Sequence, residues 1–427
     1  MSTTSMLAER RAKAVPRGVS SVHTGIAIAR AAGAEVWDVD GNRYLDFAAG
    51  IAVCNVGHCH PKVVQAATRQ IETAIHTCFN VAIYESYVSV AERLNQLVPG
   101  GFAKKTQFVS TGAEAVENAV KIARAHTGRP GVIAFTGSFH GRTMFASGLT
   151  AKTIPNKVGF GPFPADIYHV PFPDAYRGRT VADTMRAIDD LFHASIAPDR
   201  VAAFIIEPVQ GEGGFNVAPA AFLHKLRALC DTHGIVLIAD EIQSGFARTG
   251  KMFAMDHTGT HADVVTTAKS LAAGFPLAAV TGWADIMDAP IPGGLGGTYA
   301  GNPVALAAAA AVLDIIEDEH LSEKAERLGR MLRAALDSFA QRHRSIGDVR
   351  GLGAMVAMEL VQDRQDKEPD GKLARRILNA AASRGLLLLP CGTHGNVIRL
   401  LPPLILDDDQ FGQAMAILGE ALLESEA

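Results

Sequence analysis

Six short, mainly apolar runs between about residues 105 and 300 limit the folds open to this chain more than any other feature. They are Gln107–Ser110, Val132–Phe135, Val201–Ile206, Ile235–Ala239, Val264–Thr267 and Leu277–Thr281, with stretches of helical period between them. Runs of this kind suit strands buried on both faces. Such a sheet needs helices on each side, so the alternation predicts an α/β fold with a mostly parallel sheet.

The pattern differs on either side of this block. Residues 1–20 read as a loose arm. Glu35–Phe47 alternates apolar residues around Asp40-Gly41-Asn42, which predicts a hairpin. Pro61 opens an amphipathic helix whose apolar face is read as Val64, Ala67, Ile71 and Ile75. Asn302-Pro303 begins an alanine-rich helix, with Asn302 as N-cap and Pro303 in the first turn. Beyond residue 315 the sequence predicts a long helix near 318–343, a strand at 353–360 and a polar loop at 361–370. A helix near 371–384, strands at 386–390 and 397–401 and a closing helix follow. A chain of 427 residues exceeds what one small core serves. The expected division is an N-terminal arm and hairpin (1–60) joining the small domain, a large domain (61–315) and a small α+β domain (316–427).

Composition removes several classes of function. A net charge of −4 gives no general attraction to nucleic acid or anionic lipid. The purest apolar run, Val304–Leu313, is about half of the ~20 residues a membrane helix needs. The first 18 residues are polar and basic, unlike a secretory signal. Five scattered cysteines do not make a disulfide framework, and the expectation is a cytoplasmic protein.

Ligands of open α/β sheets gather at the carboxyl ends of the strands. After the first run, Thr111 and Glu114 form a capping box, and Gly112 and Ala113 leave backbone N–H groups at a helix N-terminus, a ready phosphate site. Ile235–Ala239 ends in Asp240, an acid that needs a cationic partner such as a protonated pyridine nitrogen. Val264–Thr267 leads to Lys269 among small residues, where desolvation lowers an amine's pKa toward reactivity. Val201–Ile206 ends in Glu207, and a glycine-rich loop carrying Glu212 follows. Val132–Phe135 leads into a turn with Phe139, His140 and Arg142, an aromatic face beside a carboxylate clamp. Each feature alone also reads as a helix cap, a salt bridge or a surface lysine. Together they are the parts of a pyridoxal phosphate (PLP) site, with Lys269 carrying the cofactor as a Schiff base. A rival cluster, Cys54-Asn55-Val56-Gly57-His58-Cys59-His60, holds four potential metal ligands, but its spacing matches no zinc pattern and ordinary packing is expected there, with no metal.

From about Pro16 to the C-terminus the chain resembles the class III (ω-amino acid) aminotransferases of PLP fold type I. The motifs are Thr111-Gly112-Ala113-Glu114-Ala115-Val116-Glu117-Asn118-Ala119, Glu207-Pro208-Val209-Gln210-Gly211-Glu212-Gly213-Gly214, Asp240-Glu241-Ile242-Gln243-Ser244-Gly245, Ala268-Lys269-Ser270 and Gly296-Gly297-Thr298-Tyr299-Ala300-Gly301-Asn302-Pro303. The resemblance implies a seven-stranded-type sheet in the large domain and a small domain built from both termini. It implies a homodimer, or a dimer of dimers, in which Thr298 reaches the cofactor phosphate of the partner subunit. Lys269 would be catalytic, Asp240 would pair with the pyridinium, Gln243 with the 3-oxygen and Phe139 with the ring face. Gly112 and Ala113 would hold the phosphate, and His140 and Glu207 would complete the cofactor wall. Phe139 stands where tyrosine is usual and Ala113 where serine is frequent. The implied reaction moves the amine of an ω-amino acid, 4-aminobutyrate first and 5-aminovalerate, ornithine or acetylornithine as alternatives, to 2-oxoglutarate. Arg142 would bind the distal carboxylate, Arg399 the carboxylate beside the keto group, and Glu212 would cover Arg399 when the donor is bound. Ile51 would line the pocket.

Overall fold

The computed structural model describes residues 3–426. Its centre is a seven-stranded sheet in the order 104–109, 278–283, 264–267, 236–240, 201–206, 131–135, 167–170. Six of these strands run in one direction and Ala278–Trp283 runs against them. The apolar runs cause this arrangement directly. Alternate residues of one strand enter different cores: Val132 and Ala134 join the cluster under helix Gly112–Thr127, while Ile133 and Phe135 join the larger core on the other face. Strand Ile167–Val170 was not expected. It is an edge strand with only Val170 fully buried, so its apolar signal is weak.

Two further sheets come from the chain ends. In the first, strands Ile28–Ala32, Glu35–Asp38 and Arg43–Asp46 form an antiparallel series, and Leu386–Leu387 adds in parallel beside Arg43–Asp46. The second runs in the order 346–352, 355–360, 397–400, 389–391. Strand Ile346–Leu352 lies in the stretch that the sequence reading leaves unassigned, between the helix near 318–343 and the strand at 353–360. Its side chains are mostly half-buried, so neither apolar period is strong.

Two expectations need correction. The N-terminal arm is helical over Thr3–Ala14, with no buried residue, and Asp40 accepts hydrogen bonds from the N–H groups of Thr3 and Thr4. Met1 and Ser2 lie outside the described residues. Helix Pro61–Thr73 buries Val63 and Ala67, whereas Val64, Ile71 and the following Ile75 are exposed. Its inner face packs on the alanine-rich helix Pro303–Asp318, where small side chains allow close approach and leave the larger aliphatics outward. That helix starts as the sequence requires: Asn302 accepts hydrogen bonds from Val304 and Ala305 N–H, and Pro303 follows it.

Candidate active site

A cavity of about 380 Å³ opens where the parallel strands end. Its wall includes Gly112, Ala113, Phe139, His140, Glu207, Glu212, Asp240, Gln243 and Lys269, so residues from five strand ends meet in one place.

The helix Gly112–Thr127 presents its N-terminus to this cavity. Thr111 accepts a hydrogen bond from Glu114 N–H, and the Glu114 carboxylate accepts from Ser110 and Thr111 N–H. That box leaves the N–H groups of Gly112 and Ala113 with no acceptor among the described residues, aimed where an anion is favoured. A Cβ on Gly112 would lie 2.9 Å from Ile242 Cδ1, and one on Gly141 would lie 2.7 Å from Ala113 Cβ. The cradle is therefore open only because both positions are glycine.

Asp240 closes strand Val236–Asp240 and is buried. Its Oδ2 lies 2.7 Å from His140 Nδ1, and its Oδ1 accepts from Ile242 N–H at 3.2 Å. His140 thus holds the aspartate in place from behind. Glu207 is fully buried in the same layer, accepting from Phe139 N–H and Gly211 N–H, each at 2.7 Å. Burial pushes its carboxyl up to about 7; the Asp240 charge adds to this and His140 opposes it.

Lys269 follows strand Val264–Thr267 and begins a short 3-10 turn, Lys269–Ala272, with φ of +45°. A non-glycine residue in the left-handed region is strained and is held there by its surroundings; Ser270 Oγ donates to Ala52 carbonyl at 2.7 Å. Desolvation lowers the Lys269 ammonium pKa, partly offset by the charges of Asp240, Glu212 and Glu207.

Arg399, on strand Val397–Leu400, is almost fully buried and donates to Glu212 Oε1 at 2.6 Å. Arg142 is exposed, with its guanidinium 5.3 Å from the Phe139 ring centroid. No carboxylate pairs with it among the described residues. Thr298 sits on an exposed loop away from the cavity wall of its own chain. Ile51 is exposed with φ of +67°, and its neighbour Val53 lines the cavity. Val53 and Ile242 carry no chemical signal in sequence; only the packing reveals them.

The residues fit PLP. The cavity is of cofactor size, with a free helix N-terminus for a phosphate and an acid for a pyridinium. Gln243 Oε1 is buried without a partner in the cavity wall, as a group awaiting a ligand would be. The Cys54–His60 segment serves other ends. His58 pairs with Asp46 at 2.7 Å and His60 with Glu319 at 3.1 Å. No cluster of three or more potential metal ligands occurs among the described residues.

Fold and site together define a fold type I PLP-dependent enzyme. Comparison with known proteins gives the narrower group. The class-III aminotransferase family profile matches residues 15–422. The chain is 51% identical to the 4-aminobutyrate aminotransferase of Escherichia coli over 426 residues, covering 100% of each chain. It is 50% identical to the 5-aminovalerate aminotransferase of Pseudomonas aeruginosa, covering 99% of each. A solved ornithine aminotransferase from Toxoplasma gondii, with PLP at partial occupancy in its active site, superposes with a TM-score of 0.87 at 31% identity, covering 100% of this chain and 95% of the other. The chain belongs to the class-III aminotransferases, and its cofactor is PLP.

Proposed function

We propose that this enzyme transfers the amino group of 4-aminobutyrate to 2-oxoglutarate, giving succinate semialdehyde and glutamate in two half-reactions. The observation that carries the reading is the Arg399–Glu212 pair at 2.6 Å. A donor of this class has its only carboxylate far from the amine, so an uncovered, buried arginine beside the reacting carbon would be left unpaired and would repel the ammonium. Glu212 neutralises Arg399 for the donor. For 2-oxoglutarate, Glu212 turns away and Arg399 takes the carboxylate beside the keto group. Arg142 takes the distal carboxylate of both substrates. Bound PLP supplies the electron sink for the amine exchange. Gly112, Ala113, Asp240, Gln243 and the Phe139 face hold it, with His140 and Glu207 fixing Asp240 and Phe139 from behind. Lys269 Nζ, with its lowered pKa, would take the proton from the carbon that gives up the amine and pass it to the cofactor side of the nitrogen, since return to the same carbon would leave the amine where it was.

Stopped-flow half-reactions test this. Glu212→Gln is expected to damage the half-reaction with 4-aminobutyrate far more than that with 2-oxoglutarate; equal damage rejects the switch. Lys269→Ala is expected to abolish turnover and the visible absorption of the lysine-bound cofactor. 5-Aminovalerate is the second reading, supported by the near-equal identity to its aminotransferase. One methylene separates the donors, worth only ~1–3 kcal/mol in a pocket. A donor panel of 4-aminobutyrate, 5-aminovalerate, ornithine and acetylornithine ranks them by kcat/KM. The proposal includes the three-part division at residues 60 and 315, a homodimer with Thr298 crossing to the partner subunit's site, and a cytoplasmic location. All five cysteines are free, which suits a reducing compartment, and cell fractionation tests it.

A further inference from the structure

The loop carrying Glu212 is held by more than its own carboxylate. Gly211 N–H is bound by Glu207, from the large sheet. On the opposite side the loop meets the sheet that carries Arg399. Gly392 N–H donates to Glu212 carbonyl at 2.8 Å, and Arg350 Nε donates to Gly214 carbonyl at 2.7 Å.

Arg350 is placed in a specific way. It pairs with Ala357 across strands 346–352 and 355–360, and Ala357 pairs with Arg399 across the next ladder. Residues paired in one row project to the same face of a sheet, so Arg350 and Arg399 face the loop together, two strands or about 10 Å apart. Alanine between them leaves the space clear. Arg350 Nη1 is fixed by Asp348 at 2.9 Å and by Glu359 at 2.6 Å, and Glu359 is held by Arg177 of the large domain. The guanidinium is thus aimed at Gly214 carbonyl before any substrate arrives. The contact is tight: Gly214 has φ of +114°, and a Cβ there would lie 2.9 Å from Arg350 Nη2 and 3.3 Å from Val397 Cγ2.

We propose that Arg350 is a specificity-positioning residue: it clamps the backbone at Gly214 so that Glu212 changes partners by side-chain rotation over a fixed loop, and so favours the state in which Glu212 covers Arg399. The inference rests on the switch reading above. It predicts that loosening the clamp depopulates the covered state and harms the donor, which needs it, while the acceptor, which needs Arg399 bare, does not suffer.

The test uses PLP-loaded Arg350→Met, Arg350→Lys and Glu212→Gln enzymes in separate half-reactions with 4-aminobutyrate and with 2-oxoglutarate. In Arg350→Met the donor kcat/KM is expected to fall about tenfold, the worth of one charge-assisted hydrogen bond. The rise should lie mainly in donor KM, with the acceptor half-reaction little changed. Adding Arg350→Met to Glu212→Gln should give no further change in the donor-to-acceptor ratio. Arg350→Lys keeps the charge facing Glu359 but lacks the second arm of the fork. It should shift the ratio in the same direction, and it serves if the methionine variant does not fold. Equal loss in both half-reactions, or a parent-like ratio in the variants, overturns the proposal. If Glu212→Gln itself leaves the ratio unchanged, the switch reading has failed and this inference falls with it. If Glu212→Gln shifts the ratio and the Arg350 variants do not, the clamp alone is wrong.

Discussion

Gly112 carries two demands at once, an open N–H for a phosphate and no side chain against Ile242. Gly112→Ala places a methyl 2.9 Å from Ile242 Cδ1 and should raise the PLP dissociation constant about tenfold, within the ~1–3 kcal/mol that overpacking costs. Ile242→Val removes that Cδ1, so the double variant should recover much of the loss in a cofactor titration. Lack of recovery would mean that the alanine acts through the backbone instead. Glu207 offers a second residue-scale test. Its two oxygens accept from two N–H groups, and an amide can accept with only one of its ends. Glu207→Gln should therefore loosen Phe139 or Gly211, lowering kcat/KM for both substrates by about tenfold. An effect confined to one half-reaction would contradict that symmetric role. At this scale the sequence is most readable where a chemical group ends a buried strand, as at Asp240 and Lys269. It is silent where the partner is a backbone atom: nothing in the string shows that Arg350 faces Gly214 or that Glu207 holds Phe139.

Among elements, the turn following Asp240-Glu241 is pinned by one side chain. Arg248 is completely buried with no carboxylate partner among the described residues, and its guanidinium binds Asn55 Oδ1 and the carbonyls of Ala354 and Pro402. It joins three segments that are remote in sequence. Arg248→Met leaves several buried acceptors unpaired and should destabilise the enzyme by roughly 3 kcal/mol, read as a lower urea midpoint at unchanged slope. Elements with a clean period were foreseeable: the buried central strands, the Thr111 capping box and the Asn302-Pro303 start. Those missed, Ile28–Ala32, Ile167–Val170 and Ile346–Leu352, are edge or half-buried strands whose pattern is set by neighbours rather than by the strand. The misplaced face of helix Pro61–Thr73, of whose expected residues only Ala67 is buried, has the same origin. Its larger aliphatics were assigned inward, but the opposing Pro303–Asp318 surface takes small residues.

For the whole molecule, the outward aliphatics form a pattern of their own. Ile75, Val81, Ile83 and Tyr299 are 59–81% exposed and are near Thr298 or the exposed end of helix Pro61–Thr73 in sequence. A surface of this kind fits the proposed contact between two copies of the chain. Ile83→Asp should shift the sedimentation of the enzyme from dimer to monomer and weaken PLP retention, while a monomeric parent would refute the shared site. Stability should also depend on pH through His58. Burial disfavours its charge, but the Asp46 hydrogen bond and Cys54 outweigh this and raise its pKa to about 10 in the folded state. A group with a raised folded pKa contributes fully below its unfolded value, about 6.5, and loses that contribution as pH climbs toward 10. The thermal midpoint should fall across that window in the parent and fall less in His58→Gln.

The parallel pairing of Arg43–Asp46 with Leu386–Leu387 has a consequence for biosynthesis. The early strand leaves the ribosome long before its partner, on the order of half a minute earlier at about 5–20 residues per second. Throughout that interval one edge of the N-terminal sheet is without its neighbour, and a growing polypeptide with a bare strand edge is prone to misassociate. Completion of this sheet is therefore a late event, pairing residues 43–46 with residues 386–387 only after the strands of the central sheet have been made.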